Sequence, residues 1–170
     1  GVTVGGATQS FAVTGAGDTS NLSSKNASLT PQTLSTLTGL SLGTASNGAD
    51  ANNYNFVTTG STYSINKANI VLSGGRDYDG TTTVAGSTLS ATGVTVGGIT
   101  ESFAVAGAGN ATNLSSKNAS ITPQTLNSIS GLSLGAGSNG ADANNYNFVT
   151  TGSSYTVTAK EVVLSVSKEY

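Results

Sequence analysis

Asp77 and Asp79 are the residues whose type and spacing first suggest chemistry. They flank Tyr78 in the segment DYDG, inside the densest cluster of charge in a chain of which only 8% is charged. Alternate residues of a strand point to one side, so the two carboxylates would face together, as in a Ca²⁺ site or a general acid–base pair. The alternative is structural, with Tyr78 packed into the core and Asp79 and Gly80 forming a turn in which glycine takes a positive φ. We favour the structural interpretation because the segment returns later with Glu169 in place of Asp77 and no third acidic residue is adjacent.

A second candidate site lies in the segment GADANNYNF, which occurs at residues 48–56 and again at 140–148. Asp50 and Asn52 offer oxygen ligands of the kind that Ca²⁺ prefers, but the segment has one carboxylate and lacks the bidentate Glu of an EF-hand. The structural alternative follows from the four-residue spacing of Asp50 and Tyr54. In immunoglobulin-like sandwiches a Tyr hydrogen-bonds back to the backbone at a corner, and we expect the preceding Asp to cap that corner. The equivalent residues of the second occurrence are Asp142, Asn144 and Tyr146.

The composition excludes many reaction types. The chain has no Cys, His, Met or Trp, so by itself it lacks the groups for a thiol nucleophile, a disulfide, a Ser-His-Asp triad or a soft-metal site. We therefore predict no catalytic residues, no enzyme activity and no cofactor, with Ca²⁺ left open as a bound ion. The net charge of −2 and the pI near 4.7 predict no nucleic-acid partner, which would require a basic patch. No apolar run approaches the roughly 20 residues that span a bilayer, so we predict no membrane insertion.

Short runs of alternating apolar and polar residues indicate an all-β fold. Ser and Thr make up about 30% of the chain and 23 residues are Gly, a composition that favours strands and tight turns over helices. The alternation puts one face of each strand in a core and the other in water. It is clearest in six pairs of residues: Val2 and Val4, Phe11 and Val13, Leu40 and Leu42, Tyr54 and Phe56, Tyr63 and Ile65, and Ile70 and Leu72. We predict β-sandwich-like domains with an Ig-like, Greek-key or β-grasp-like topology.

The sequence repeats itself with a constant offset of 92 residues. GVTVGG at the first residue returns at residue 93, and NLSSKNAS, TPQTL and SNGADANNYNFVTTGS keep the same offset without a gap. About 53 of 78 aligned residues are identical, which suggests recent duplication within a longer array. A period of 92 residues is too long for one solenoid coil and is the size of an independent sandwich domain.

Glycosylation is left open by the sequence. Five Asn residues stand in the acceptor motif Asn-x-Ser/Thr: Asn21, Asn26, Asn110, Asn113 and Asn118. The abundance of Asn, Ser and Thr produces about this number by chance, so the motif by itself neither favours nor excludes a glycan.

The repeated segments resemble a family of bacterial proteins. A YDGTT segment led by a basic residue, followed by SKNAS, GLSLG, GADANNYNF and a closing YTVTAKEVVLS, is similar to the YDG-type repeats of large bacterial surface adhesins. These adhesins are filamentous-haemagglutinin-like exoproteins exported by two-partner secretion. The resemblance covers nearly the whole chain, although SKNAS and NNY stand where DKNAG and GNY would be typical. It implies an extracellular location at the bacterial cell surface and a tandem array without catalytic residues.

The resemblance also implies a repeat frame, in which a unit begins with the strand that leads into YDG. Residues 1–68 would then be a repeat lacking its first strand, residues 69–159 a complete repeat and residues 160–170 the first strand of a following repeat, as expected of a window cut from an array. A repeat without its first strand exposes an unpaired sheet edge, and the strand at 160–170 is the piece that it lacks. We therefore predict strand complementation, either by neighbouring repeats of the same polypeptide or between copies head to tail.

Two functions from different classes fit these features. The first is a structural stalk or spacer that projects a binding region for cell adhesion or biofilm formation. The alternative is a carbohydrate- or Ca²⁺-dependent adhesive module with host or matrix glycans as partners, which would require exposed aromatic side chains. The alternation assigns most Tyr and Phe residues to the core and so favours the stalk. Structural roles then fall on Tyr54, Tyr78, Asp79, Gly80 and Tyr146.

Overall fold

The chain folds into two compact units, Gly1–Asn66 and Lys67–Tyr170. The computed structural model describes residues 1–169, and Tyr170, the sequence counterpart of Tyr78, lies outside the described residues. Fourteen strands and five short 3₁₀ helices form the regular structure of residues 1–169, which contain no α-helix. The prediction of an all-β fold is therefore confirmed. Within the same residues, no helix has the length and apolar character needed to cross a membrane.

The first unit consists of three antiparallel strand pairs, β1 with β2, β3 with β5 and β4 with β6. Its strands are β1 (Val2–Val4), β2 (Ala7–Gln9), β3 (Phe11–Thr14), β4 (Gln32–Thr33), β5 (Ser41–Ala45) and β6 (Thr62–Tyr63). Its 3₁₀ helices are η1 (Thr19–Asn21) and η2 (Ala51–Asn53).

The second unit repeats the strand pairs of the first and adds two strands at its start. Its strands are β7 (Ala68–Asp77), β8 (Leu89–Ala91), β9 (Val94–Val96), β10 (Ile99–Glu101), β11 (Phe103–Ala106), β12 (Gln124–Thr125), β13 (Ser133–Gly137) and β14 (Tyr146–Thr158). Its 3₁₀ helices are η3 (Gly86–Thr88), η4 (Ser138–Gly140) and η5 (Ala143–Asn145).

The hairpins β1–β2 and β9–β10 have a local cause. Each is joined by a two-residue Gly-Gly loop, with φ of +59° and +79° at Gly5 and Gly6 and of +57° and +83° at Gly97 and Gly98. A loop in which both residues take a positive φ is a type I′ turn, whose twist matches that of paired strands. Glycine adopts these angles without the penalty that a Cβ would impose.

The central sheet of the second unit is built around a parallel pair formed by its first and last strands. Four strands lie in the order β12–β14–β7–β8, and the two outer pairs are antiparallel. β7 and β14 run in parallel, with Ala68 beside Tyr146 at one end and Asp77 beside Thr158 at the other. Since parallel neighbours need a long crossover, all the intervening elements of the unit are threaded between these two strands.

A bulge in β14 interrupts the parallel ladder between Val149 and Ser154. Ser153 repairs it, because its hydroxyl accepts the Leu72 amide at 2.8 Å and donates to the Val149 carbonyl at 2.5 Å. Ser153 is only 1% exposed, and a buried backbone group without such a partner would be costly.

The core of the second unit is filled from both strands of the parallel pair and from a loop that covers them. Ile70 and Leu72 of β7, Tyr155 and Val157 of β14, and Val84 from the segment between β7 and β8 are each at most 2% exposed. The inward alternation of Ile70 with Leu72 follows the sequence prediction.

Identical sequence takes different structures in the two units. The segment YNFVTTGS begins β14 in the second unit, whereas residues 54–57 of the first unit form no strand. The prediction of a strand through Tyr54 and Phe56 is therefore wrong for the first unit. The reason is that the first unit has no counterpart of β7, so this segment lacks the neighbour with which β14 pairs.

Equivalent residues are also more buried in the second unit than in the first. Tyr155 is 0% exposed but its counterpart Tyr63 is 54% exposed, and Leu126 is buried while its counterpart Leu34 is only partly buried. No part of residues 1–66 corresponds to residues 67–92, which carry β7, the YDG turn, Val84, η3 and β8.

The segment that repeats β7, residues 160–169, forms no strand. It was predicted as the first strand of a following repeat. A strand needs a partner for its backbone hydrogen bonds, and the structure gives this segment none of the ladder bonds that β7 makes with β14.

Replacing Ile70 with Ala should lower the free energy of unfolding of the second unit by about 2–5 kcal/mol, because Ile70 is fully buried. Ile121→Ala is the matched control, since Ile121 belongs to the same unit and is 100% exposed, and we expect a change below about 0.5 kcal/mol. Hydrogen exchange of the β7 and β14 amides in urea measures both. Equal effects of the two substitutions would contradict the described packing.

Candidate functional site

Arg76, near the end of β7, closes the YDG turn. Its guanidinium donates to the carbonyl oxygens of Thr81, at 2.6 Å, and Thr83, and it forms an ion pair with Asp79 at 3.0 Å. The same group lies 5.7 Å from the centroid of the Tyr155 ring, within the range of a cation–π contact. The side chain of Arg76 is only 12% exposed. Its rigid fork of donors therefore fastens the turn to the core.

Asp79 and Gly80 form a turn of the kind expected from the sequence. The Asp79 carboxylate accepts the backbone amide of Thr81 at 2.9 Å and its hydroxyl at 3.0 Å, and Gly80 has a φ of +82°. The bond from the Thr81 amide is the main cause that holds the pKa of Asp79 below its ordinary value of 3.8. Desolvation, the second-largest effect, opposes this and raises the pKa, whereas the Thr81 hydroxyl and then the charge of Arg76 lower it further.

Asp77 accepts its hydrogen bond from a different residue than Asp79 does. Its carboxylate accepts the hydroxyl of Thr158 at 2.6 Å, which links the ends of β7 and β14. Among residues 1–169, no group of three or more acidic side chains comes together in a way that could hold a metal ion. Ca²⁺ binding by Asp77 and Asp79 stays the alternative that the sequence left open.

Tyr78 does not pack into the core. It is 36% exposed, so the expectation of a buried Tyr78 is wrong. β7 ends at Asp77, and Arg76 already covers the core at this end of the strand, so the chain turns away before the alternation brings Tyr78 inside. Tyr78 keeps one tie to the sheet, because its amide donates to the Thr158 carbonyl at 2.8 Å.

Asp50 and Asp142 cap the 3₁₀ helices η2 and η5. Their carboxylates accept the backbone amides of Asn52 and Asn144, each at 2.9 Å, which satisfies a donor left open at a helix start. In the first unit the side-chain amide of Asn52 also donates to Asp50 at 2.9 Å. These contacts are those of the structural interpretation, and Ca²⁺ coordination by the four residues stays the alternative that the sequence left open.

The tyrosines that follow these caps bind side chains. The hydroxyl of Tyr146 donates to the Glu101 carboxylate, and that of Tyr54 to the side-chain oxygen of Gln9. The expectation of a backbone acceptor at a corner is therefore wrong. Tyr146 also packs on Phe103 with ring centroids 4.6 Å apart, so it joins the start of β14 to strands β10 and β11.

Asn113 has a structural role that the sequence reasoning missed. It is 0% exposed, and its side-chain amide donates to the carbonyl oxygens of Ser128 and Ser130, both at 3.0 Å. Its oxygen accepts the amides of Val84 at 3.2 Å and Asn110 at 2.5 Å. These four bonds use the amide's capacity and hold three loops together. A glycan on this nitrogen is incompatible with the folded unit.

The remaining glycosylation motifs divide by exposure. Asn21, the counterpart of Asn113, is 7% exposed and donates to the carbonyls of Thr36 and Thr38 at 3.0 and 3.1 Å. The exposed acceptor residues are Asn26, Asn110 and Asn118. The motif alone carries no signal that separates the buried Asn residues from the exposed ones.

Three polar side chains of the second unit have the same structural role, which is to form hydrogen bonds with backbone groups. Arg76 and Asn113 bind backbone groups of irregular segments, and Ser153 binds the Leu72 amide and the Val149 carbonyl at the bulge of the β7–β14 pair. Such groups must be satisfied when they are buried. The arrangement is that of a scaffold in which polar side chains complete the backbone hydrogen bonding.

Comparisons with known proteins gave no match, whether with protein-family models, curated proteins or solved structures.

Asn113→Ala should destabilise the second unit by about 3 kcal/mol, because it leaves several buried backbone groups without partners. Asn118→Ala is the control, since Asn118 lies in the same unit and is exposed, and its effect should stay below about 0.5 kcal/mol. Urea unfolding followed by hydrogen exchange in β14 measures the difference. A similar loss for both variants would show that the buried network does not support the fold.

Asp79 should stabilise the second unit in a pH-dependent way. Because its pKa is lowered in the folded state, the contribution is complete above the ordinary value of 3.8 and is lost as the pH falls through the folded-state pKa. An NMR titration of the carboxyl group should give a pKa below 3.8, and Asp79→Asn should remove this part of the acid dependence. Thr81→Ala keeps the backbone donor and should raise the pKa only part of the way. A carboxyl pKa at or above 3.8 would contradict the described turn.

Proposed function

We propose that the chain is a stalk or spacer repeat of an extracellular bacterial surface adhesin. Tandem β-sandwich-like units of this kind would project a binding region away from the cell for adhesion or biofilm formation. Two features support the proposal: the near-identical duplication with its similarity to YDG-type repeats, and the parallel pairing of the first and last strands of the second unit.

The parallel pairing is the observation that carries the proposal, because it fixes where the chain enters and leaves the unit. The chain enters at Ala68 beside Tyr146 and leaves at Thr158 beside Asp77. These points lie at opposite ends of the strand pair. β7 has 10 residues, and a strand rises about 3.3 Å per residue, so the two points are about 30 Å apart. Repeats joined in this way would extend the polypeptide along the strand direction.

The same geometry suits a protein domain that must resist mechanical tension. Tension applied at the start of β7 and the end of β14 pulls the two strands along their axes in opposite directions. The hydrogen bonds of the ladder then share the force, whereas a pull at one end would break them one after another. The contacts at the exit end, from Thr158 to Asp77 and from Tyr78 to Thr158, add to this resistance.

Single-molecule pulling tests the load-bearing geometry. The chain has no Cys, so introduced cysteines define the points of attachment. Lys67→Cys with Ala159→Cys applies force across opposite ends of the β7–β14 pair, and Lys67→Cys with Asn147→Cys applies it at one end. These three residues are exposed. We expect a clearly higher unfolding force for the first pair of attachment points, since only that pair shears the ladder.

The length released on unfolding identifies the unit that opened. A fully extended chain spans at most about 3.6 Å per residue, so opening the unit between residues 67 and 159 should release about 300 Å. Equal unfolding forces for the two attachment pairs would overturn the load-bearing proposal.

A further inference from the structure

The chain has two tight turns whose first central residue is Asn and whose second is Gly. Asn47 and Gly48 have φ of +55° and +68°, and Asn139 and Gly140 have φ of +53° and +75°. Among residues 1–169, these two Asn residues are the only non-glycine residues with a positive φ. Positive values at both central positions define a type I′ turn, which the Asn-Gly sequence favours. The two turns lie at equivalent positions of the two units, 92 residues apart.

Each of these Asn side chains ties its turn to a neighbouring strand. The side-chain amide of Asn139 donates to the Thr100 carbonyl of β10 at 3.3 Å, and that of Asn47 donates to the Thr8 carbonyl of β2 at 2.9 Å. The amide group thus helps to hold each turn in place. A carboxylate at the same position would have no hydrogen to donate.

The two Asn-Gly pairs are open to solvent. All four of their residues are exposed, and a Cβ added at Gly48 or Gly140 would meet no atom within 4 Å. The chain has 16 Asn residues, and only Asn47 and Asn139 are followed by Gly. After each of the others, the next residue carries a side chain that crowds the peptide nitrogen between them. The nitrogen that follows Asn47 or Asn139 is therefore the least hindered of its kind in the chain.

An Asn followed by such a nitrogen can lose its amide without an enzyme. The deprotonated peptide nitrogen of Gly140 attacks the Cγ atom of Asn139. A bond forms between these two atoms, the Cγ–Nδ2 bond breaks, and ammonia leaves with a proton taken from water. Water then opens the resulting five-membered succinimide at one of its two carbonyls, which gives aspartate or isoaspartate. The net change consumes water and releases ammonia, and it needs no oxidant, reductant or cofactor.

The folded turn holds the reacting atoms apart. Asn139 has a ψ of +24°, which places the Gly140 nitrogen close to the Asn139 nitrogen and turns it away from the Asn139 side chain. Attack on Cγ requires a large rotation about the Cα–C bond of Asn139. This rotation would break the hydrogen bond from the Ala141 amide to the Ser138 carbonyl, which measures 2.9 Å. The reaction therefore proceeds through local opening of the turn.

We propose that Asn47 and Asn139 are sites of spontaneous deamidation, which occurs when their turns open and converts each side-chain amide into a carboxylate. At Asn139 the product no longer donates to the Thr100 carbonyl. In the isoaspartate product, the backbone also gains a carbon atom within the turn that joins β13 to η5. The modification accumulates with the age of the protein and loosens the segment that leads into β14.

Mass spectrometry of the full chain, incubated at neutral pH, tests the position of the sites. Trypsin separates them, because cleavage after the Lys residues gives the peptides 26–67 and 118–160. Electron-transfer fragmentation then locates each converted residue and distinguishes aspartate from isoaspartate. Conversion should be at least about tenfold faster at Asn47 and Asn139 than at the other Asn residues of the same peptides, because Gly leaves the nitrogen unhindered. Both conversions should become faster as the pH is raised, since the attacking nitrogen must lose its proton.

The same measurement in guanidinium chloride tests the control by the turn. Both turns are open in the unfolded chain, so conversion of Asn47 and Asn139 should be at least about tenfold faster there than in the folded chain. Asn139→Gly is the matched variant, because Gly keeps a residue that accepts a positive φ and removes the amide. It should abolish conversion at this turn and leave the rate at Asn47 unchanged.

Asn139→Asp reproduces the charge of the product and tests its effect on the turn. Hydrogen exchange of the Ser138 and Ala141 amides reports the turn, since these amides donate to the Ser102 and Ser138 carbonyls. Both amides should lose at least about tenfold of their protection in Asn139→Asp. Asn118→Asp adds the same charge at an exposed position of the same unit, and should leave their protection unchanged.

Four results would overturn the proposal. They are a folded chain in which neither site converts over several weeks, conversion without preference for Asn47 and Asn139, equal rates in the folded and unfolded chain, and unchanged amide protection in Asn139→Asp. The inference goes beyond the stalk proposal and does not depend on it. The pulling experiment uses freshly prepared chain in which both Asn residues are intact, so failure of one proposal is distinguishable from failure of the other.

Discussion

The pairing of β7 with β14 is the interaction on which the closed repeat depends. β14 contributes Tyr155 and Val157 to the core, and β7 contributes Ile70 and Leu72. Without a partner strand the same YNFVTTGS sequence forms no strand at residues 54–57. Strand formation is therefore a property of the pair, since β preferences reflect packing against neighbours more than the backbone of one segment.

Polar side chains compensate for a small apolar core. Only 36% of residues are hydrophobic, and much of the second unit is irregular in structure. The buried backbone of these segments needs hydrogen-bond partners, which Asn113 and Arg76 supply in loops, while Ser153 supplies them at the bulge in β14. The Ser-, Thr- and Asn-rich composition that favours strands and tight turns thus also supplies hydrogen-bond partners inside the fold. In this fold, small polar residues do part of the work that large apolar residues do elsewhere.

The sequence predicted the features whose causes are local. Alternation placed Ile70 and Leu72 on one face of a strand, and Asp50 and Asp79 hold short turns through adjacent amides. Features with distant causes were missed. Tyr78 has the parity of a core residue, but Arg76 covers the core before it. Tyr146 binds a side chain 45 positions away, and the parallel partner of β14 comes from the other end of the unit. None of these contacts leaves a periodic signal in the sequence.

Because the sequence is duplicated, more than one segment could compete for the position of β7 beside β14. Residues 49–61 are identical to residues 141–153, which include the start of β14, whereas residues 160–169 differ from β7 (residues 68–77) at most positions. Gly74 is required beneath the Thr88 carbonyl, and Val166 is incompatible with it. A strand carrying valine at this position cannot replace β7 in a complete unit unless η3 and β8 are displaced too. Such a clash with the wrong partner would protect a closed repeat from exchange with a strand that carries valine at this position.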